Sequence, residues 1–119
     1  MPWTERAEIK TDYEEIISYL ENENCFHDYC IGYIDCKDKE VQVTIEEQPG
    51  STEGLIWKFH FKNVTSFEMA VDAARGFWIT EVGRGEIDNE IQFDLDNGML
   101  AVAAETIEFG IPSPIKRTD

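Results

Sequence analysis

The sequence predicts an α+β domain with a mostly antiparallel β-sheet of about six or seven strands, an N-terminal helix and one short second helix. Three observations support this prediction. One segment near the N-terminus has apolar residues at helical spacing, several later segments alternate apolar and polar residues, and the connections between those segments are hairpin-length. Because connections this short leave no room for repeated crossover helices, neighbouring strands are expected to run antiparallel.

The chain has the size of one domain. Its 119 residues are too few for two independent cores. Hydrophobic residues make up 42% and aromatic residues 12%, which is enough apolar surface to fold and argues against disorder. We expect a single domain over 1–119, with 1–10 as an N-terminal arm and 112–119 as a C-terminal tail.

A helix is predicted to begin near Thr11. Thr11 and Glu14 have the spacing of a capping box, in which each side chain pairs with a free backbone N–H. Asn22 and Asn24 are suited to end the helix. The apolar residues between them recur on one face: Tyr13, Ile16, Ile17 and Leu20.

Three strands are predicted next. Apolar and polar residues alternate in the segments 29–33 and 41–45, which lie on either side of a polar turn and are predicted to form a hairpin. The segment 48–54 is predicted to be a loop. The segment 55–62 is the clearest half-buried strand, with one apolar face made of Leu55, Trp57, Phe59 and Phe61.

The second helix is predicted over 66–75. Ser66 is suited to cap it, and Gly76 lies at its end. β-branched and aromatic residues also allow 64–67 to continue the preceding strand. The helical face would consist of Phe67, Ala70, Val71 and Ala74.

The remainder of the chain is predicted to be strands. The segments 77–82 and 91–95 precede the turn Asp96-Asn97-Gly98, the strongest hairpin signal in the chain. The last strand covers 100–111, and its apolar phase slips near Glu105. This slip indicates a β-bulge or a bend.

The charge of the chain restricts its partners. The 25 acidic and 10 basic residues give a formal net charge of −15. Nucleic acids and anionic membranes are bound by clustered cationic side chains, whereas the basic residues here are scattered. We therefore expect no nucleic-acid partner and no membrane partner, and we expect a protein partner to be basic.

The cellular compartment is predicted from two absences in the sequence and from its cysteines. No apolar run is long enough for a membrane span, and residues 1–10 contain no signal-peptide core. Cysteines Cys25, Cys30 and Cys36 are odd in number and match no common zinc spacing. We expect a cytoplasmic protein with free, largely buried thiols.

The sequence contains no convincing catalytic or metal-binding motif, and no cofactor is expected. His27 with Cys25 and Asp28 could hold a metal, but the spacing suits metal ligation poorly, and His27 and Asp28 are better suited to ordering the turn between helix and strand. His60, between two lysines on a polar strand face, is expected to be solvated. The segment 88–90 lacks the glycine and terminal glutamate of a calcium loop.

Two acidic segments carry most of the charge imbalance. Residues 11–28 hold six acids and no base, and residues 81–108 hold eight acids and one base, so their net charges are −6 and −7. Side by side they would suit a basic active site on a partner, and separate solvated faces are the alternative. The predicted partner-binding residues are Glu81, Glu86, Asp88, Glu90, Asp94 and Asp96.

One resemblance adds to these observations. Phe26-His27-Asp28-Tyr29-Cys30-Ile31 is followed by the alternating 41–45 segment, an aromatic strand and a turn at Asn97-Gly98. Over residues 25–110 this pattern resembles small bacterial β-rich domains, some of which are grouped with immunity proteins that neutralise toxins. The predicted helix over 66–75 departs from it. The resemblance implies a cytoplasmic binding protein without catalysis, and it transfers no functional residues.

The leading hypothesis is a non-enzymatic interaction protein that binds a basic partner, such as a toxin nuclease, through acidic side chains and exposed aromatic anchors. The alternative is a pocket protein for a small apolar or metal ligand. Its pocket residues would be His27, Asp28, Trp57 and Trp78. A hydrolase is a third hypothesis and would need a cleft that holds His27 or His60 beside an acid.

Overall fold

The computed structural model describes residues 8–47, 54–72 and 77–112. This part of the chain forms one helix and seven strands in a mostly antiparallel sheet, which confirms the predicted α+β class. In chain order the elements are β1 (Glu8–Lys10), α1 (Tyr13–Asn22), β2 (Cys30–Lys37), β3 (Glu40–Glu46), β4 (Ile56–Val71), β5 (Ile79–Arg84), β6 (Glu90–Leu95) and β7 (Gly98–Ile111).

Helix α1 is capped one residue later than the capping box predicts. Asp12, and not Thr11, is the N-cap, and its carboxylate accepts a 3.0 Å hydrogen bond from the backbone N–H of Glu15. Aspartate is among the most favourable N-cap residues, so Asp12 competes successfully with the neighbouring threonine. The helix ends at Asn22, as predicted. Its buried face consists of Ile16, Ile17 and Leu20.

The sheet has the strand order β2-β3-β4-β7-β6-β5, and β1 pairs with the end of β7. Strands β4 and β7 are the long central strands and pair along most of their length. The first half of β4 also pairs with β3, and the first half of β7 also pairs with β6. The two long strands therefore join a β2–β3 sheet region to a β5–β6 region.

The two ends of the strand order meet at one corner. Cys30, at the start of β2, forms a bridge with Trp78, just before β5. Ile31 N donates to Phe77 O at 2.9 Å, and Ile79 N donates to Tyr29 O at 2.8 Å. The sheet consequently curls around the core and closes at this corner.

The predicted second helix over 66–75 is wrong wherever the structure describes it. Residues 66–71 continue β4, in register with β7, so that Phe67 lies opposite Val102 and Val71 lies opposite Gly98. The alternative reading, in which 64–67 extends the strand, is correct. Short apolar segments fit both periods, and the partner strand β7 decides between them because it supplies a hydrogen-bonding edge. Residues 73–76 lie outside the described part.

Strand β4 is irregular at its midpoint. Asn63 has φ of 55°, and the register with β7 shifts between Val64 and Ser66. Asparagine tolerates this left-handed backbone conformation better than most residues. The sequence predicts a bulge or bend near Glu105 in β7, and the irregularity lies opposite that residue, in β4. A bulge there bends the long strands between the two sheet regions.

The remaining predictions for the chain ends and cysteines are partly met. Residues 8–10 of the predicted arm form β1, and 1–7 and 113–119 lie outside the described part. The three cysteines are free, as predicted, but the expected burial is wrong, because Cys25 and Cys30 are only partly buried and Cys36 is exposed. Burial raises the pKa of the Cys30 thiol, which lowers its thiolate content and its reactivity. No helix in the described ranges is long and apolar enough to cross a membrane.

Candidate binding surface

Helix α1 lies beside the β5–β6 hairpin, and Arg84 joins them. Arg84 donates to both carboxylate oxygens of Glu14, at 2.6 Å and 3.1 Å. Its guanidinium carbon lies 5.4 Å from the centroid of the Tyr13 ring, and the Tyr13 hydroxyl donates to the backbone oxygen of Glu90 at 2.7 Å. The two acidic segments predicted from the sequence are therefore neighbours in the fold.

The ion pair also affects the Glu14 carboxyl. The hydrogen bonds from Arg84 hold the pKa of Glu14 below its ordinary value. A carboxyl with a lowered folded-state pKa stabilises the fold above its unfolded pKa, and that contribution is lost as the pH falls through the folded value. Both side chains are largely exposed, so solvent screening keeps the stabilisation small. Arg84 and Glu14 thus largely offset each other's charge, and the negative potential of this surface comes from the other acids.

Two adjoining clefts share Arg84. One has a volume of about 380 Å³ and lies between the start of α1 and the β5–β6 loop. The other, of about 400 Å³, lies between the end of α1 and the outer face of β5 and β6. Their acidic lining residues define what we term the acidic surface: Glu14, Glu86 and Asp88 in the first cleft, and Glu21, Glu81 and Asp94 in the second.

The loop that carries part of the acidic surface is anchored by hydrogen bonds to the buried side chain of Glu90. Glu90 is only 6% exposed, and its Oε1 accepts hydrogen bonds from the backbone N–H groups of Glu86 at 2.8 Å and Ile87 at 3.4 Å. Gly85 N donates to Glu90 O at 2.9 Å. A Cβ at position 85 would collide with the Glu90 side chain, so only glycine allows this packing. These bonds tie the backbone of the loop to Glu90 without any contribution from a partner.

The anchored loop exposes one apolar side chain among acids. Ile87 is 50% exposed and lines the first cleft with Glu86 and Asp88. Apolar groups at the centre of an interface contribute most when polar groups around them exclude water. The loop therefore offers a partner an apolar contact ringed by negative charge.

The six predicted partner-binding residues have different positions in the structure. Glu81, Glu86, Asp88 and Asp94 belong to the acidic surface. Asp96 is exposed beside the β6–β7 turn and lines neither cleft. Glu90 is buried and uses its carboxylate on the loop backbone, so it supports the surface and is not available to a partner.

The four predicted pocket residues do not line one enclosed cavity. Trp57 is 5% exposed in the core, where its Nε1 donates to the Tyr19 hydroxyl at 3.0 Å. By contrast, the side chains of His27 and Asp28 project into solvent with a 3.2 Å contact between them. Trp78 is also exposed, beside the corner where β2 meets β5.

His60 is less solvated than the sequence predicts. Its Nε2 lies 2.6 Å from Glu40 Oε1, and its Nδ1 lies 3.6 Å from Glu108 Oε1. The adjacent depression has a volume of only about 90 Å³, and no hydroxyl or thiol side chain lines it. With both ring nitrogens facing carboxylates, His60 connects β3, β4 and β7.

Within the described ranges, no group of three or more His, Cys, Asp or Glu residues is placed to hold a metal ion.

Three contributors to the site were not singled out by sequence reasoning. The sequence predicts Tyr13 only as part of the helix stripe, Arg84 only as the one base of the segment 81–108, and Ile87 in no role. The one signal for Ile87 was available: it is an apolar residue between two acids in a predicted loop.

Replacing Glu90 is expected to release the loop. Glu90→Ala removes a buried acceptor from two backbone N–H groups and should destabilise the fold by about 1–3 kcal/mol. Glu90→Gln keeps the shape and one acceptor oxygen, so its loss should be smaller. Urea unfolding measures both values, and hydrogen exchange of the Glu86 and Ile87 amides should accelerate in Glu90→Ala.

The matched control is Glu81→Ala, which removes an exposed acid from β5. Its stability should stay within about 0.5 kcal/mol of the parent protein. Unchanged exchange of the Glu86 and Ile87 amides in Glu90→Ala would show that Glu90 does not hold the loop.

Comparisons with protein-family models, curated proteins and solved structures found no match for this chain.

Proposed function

We propose that this chain is a non-enzymatic interaction protein that binds a basic partner protein through the acidic surface. The observation that carries this proposal is the convergence of acids from α1 and from β5–β6 around one anchored loop. The two contributing segments are far apart in the sequence, and the fold brings them together. A surface of one sign raises the association rate of an oppositely charged partner.

The anchoring of the loop supports binding over a purely solubilising role. An interface that is ordered before association loses less conformational entropy on binding. Net charge alone is enough for solubility. It requires neither a buried Glu90 that hydrogen-bonds the loop nor an exposed Ile87 among the acids of the acidic surface.

The partner class follows from charge and from the resemblance to immunity proteins. A nuclease active site is basic because it must bind phosphates, and a folded acidic surface can occupy such a site. We therefore propose a basic toxin nuclease as the partner, with this chain as its inhibitor.

The proposal is tested by co-purification with the product of the adjacent gene. The triple variant Glu81→Gln, Glu86→Gln, Asp88→Asn keeps the shape of the surface and removes three charges. We expect it to bind roughly tenfold more weakly, a loss of about 1.4 kcal/mol. Binding by the parent protein should also weaken as salt is raised from about 0.1 M to about 1 M.

The control triple Glu15→Gln, Glu23→Gln, Glu105→Gln changes the net charge equally at exposed acids that line neither cleft. It should retain the parent affinity within about twofold. Equal losses in the two triples would mean that net charge, and not this surface, determines binding. A complex that persists unchanged at molar salt, or no complex at all, would count against the proposal.

A further inference from the structure

Strand β4 has an open edge along its second half. Its first half lies between β3 and β7, but the pairing with β3 ends at Lys62. From Thr65 to Val71 the strand is paired with β7 on one side, and among the described residues no strand pairs with its other side. Such an edge presents unpaired backbone N–H and C=O groups along seven residues, the length of an ordinary strand.

An apolar groove adjoins this edge. Phe67 and Met69 are 43% and 41% exposed, although their cross-strand partners, Val102 and Leu100, are buried in the core. The groove has a volume of about 400 Å³, and its opposite wall is formed by β2. Its principal lining side chains are Ile34, Cys36, Phe67, Met69 and Phe77. The edge is therefore flanked, on the side of the sheet that faces the core, by side chains that water solvates poorly.

The other side of the same edge is polar and acidic. Ser66, Glu68 and Ala70 alternate with the two groove residues, and Glu68 is exposed. A strand that paired here would have to alternate in the same way. Its inward residues would meet an apolar groove, and its outward residues would lie near a carboxylate.

The open edge is continuous with the acidic surface. Across the sheet, Ala70 lies opposite Met99, Met99 lies opposite Asp94, and Asp94 lies opposite Glu81. Strands are spaced about 4.8 Å apart, so this row places the edge roughly 15 Å from Glu81. One partner of ordinary interface size can cover both.

We propose that the edge of β4 from Thr65 to Val71 accepts a β-strand of the basic partner, with alternating apolar and Lys or Arg residues. The apolar residues enter the groove, and a basic residue lies over Glu68. This inference rests on the proposed function, because the charge of the strand follows from the charge of the partner. Pairing with a second copy of this chain is disfavoured in the symmetric register centred on Glu68, because that register places two like charges opposite each other.

The test uses defined peptides and NMR, which detects weak binding. The probe is a capped seven-residue peptide of alternating Lys and Val. One comparison peptide has the same composition with its three valines grouped together, and another is the alternating peptide with every residue N-methylated. We expect the alternating peptide to shift the amide signals of Thr65–Val71, and both comparison peptides to shift them at least threefold less. Glu68→Lys should weaken this binding about fivefold, whereas Glu23→Lys, at an exposed acid that lines neither cleft, should leave it unchanged.

The outcomes separate the two proposals. If only the amide signals of the acidic surface shift, the strand site is overturned and the proposed function stands. If no amide signals shift at the β4 edge or at the acidic surface, the result counts against both proposals. Equal binding of the N-methylated peptide would overturn the strand site, because its backbone donors are blocked. A dimer of the parent protein in sedimentation equilibrium that Phe67→Asp disrupts would overturn the choice of a basic strand in favour of a second copy.

Discussion

Phe59→Ala is expected to destabilise the fold by about 3–5 kcal/mol, a large part of the roughly 5–15 kcal/mol typical of a domain. Phe59 has no exposed surface and lies at the centre of the aromatic core. Its ring centroid is 4.4 Å from that of Phe109, 5.3 Å from Phe93 and 5.7 Å from Phe61. These rings come from β4, β6 and β7, so the cavity would loosen the packing between the two sheet regions. Urea unfolding provides the measurement.

The same substitution at Phe67 is a matched control on the same strand. Phe67 is partly exposed and lines the open groove, so Phe67→Ala should cost about 1 kcal/mol. If both variants lost equal stability, the assignment of Phe59 to the core and of Phe67 to an open edge would be wrong.

Gly98→Ala is expected to cost roughly 2–4 kcal/mol through overpacking and backbone strain. Gly98 begins β7 with φ of 156°, and a Cβ at this position would collide with the carbonyl oxygen of Ala70 on β4. Backbone atoms cannot move aside as a flexible side chain can, so the β4–β7 register would be disturbed at its end. Thermal unfolding should show a correspondingly lowered Tm.

Gly83→Ala is the matched control for Gly98→Ala. A Cβ at position 83 has open space around it and no left-handed backbone to strain. Replacing glycine by alanine within a strand should leave stability unchanged or raise it by up to about 1 kcal/mol. Equal destabilisation by the two substitutions would contradict the close approach of β4 and β7 at Gly98.

Local signals were sufficient to predict much of the fold. The stripe that includes Ile16 and Leu20 specifies one buried helix face, and the turn at Asn97-Gly98 specifies the β6–β7 hairpin. In both cases the residues that determine the structure lie within a few positions of one another. A period or a turn type can then be read directly from the sequence.

The second half of β4 could not be predicted in this way. The apolar spacing of 66–75 is compatible with a helix, and the strand forms because β7 runs alongside it. That partner is about thirty residues away in the sequence, so its effect leaves no local pattern. Pairing with β7 nevertheless outweighs the local propensity of this segment. The N-cap was a smaller error with a local cause, because Thr11 and Asp12 are adjacent and both are suitable capping residues.

The candidate site was predictable as a charge distribution but not in the roles of individual residues. Glu86 and Glu90 are both acids of one short segment, yet the first is exposed and the second is buried. The difference arises from Gly85, which leaves room for Glu90, and from Tyr13, which hydrogen-bonds it from α1. Such packing depends on contacts between distant segments, which a charge count does not contain.

The central claim is that the anchored loop and the neighbouring helix face are the surface that a basic partner covers. Hydrogen–deuterium exchange of this chain, free and in complex with the adjacent gene's product, tests it most directly. We expect the amides of 84–89 to gain protection in the complex, together with those on the exposed side of α1. Protection limited to β1 and β3, with exchange at 84–89 unchanged, would contradict it.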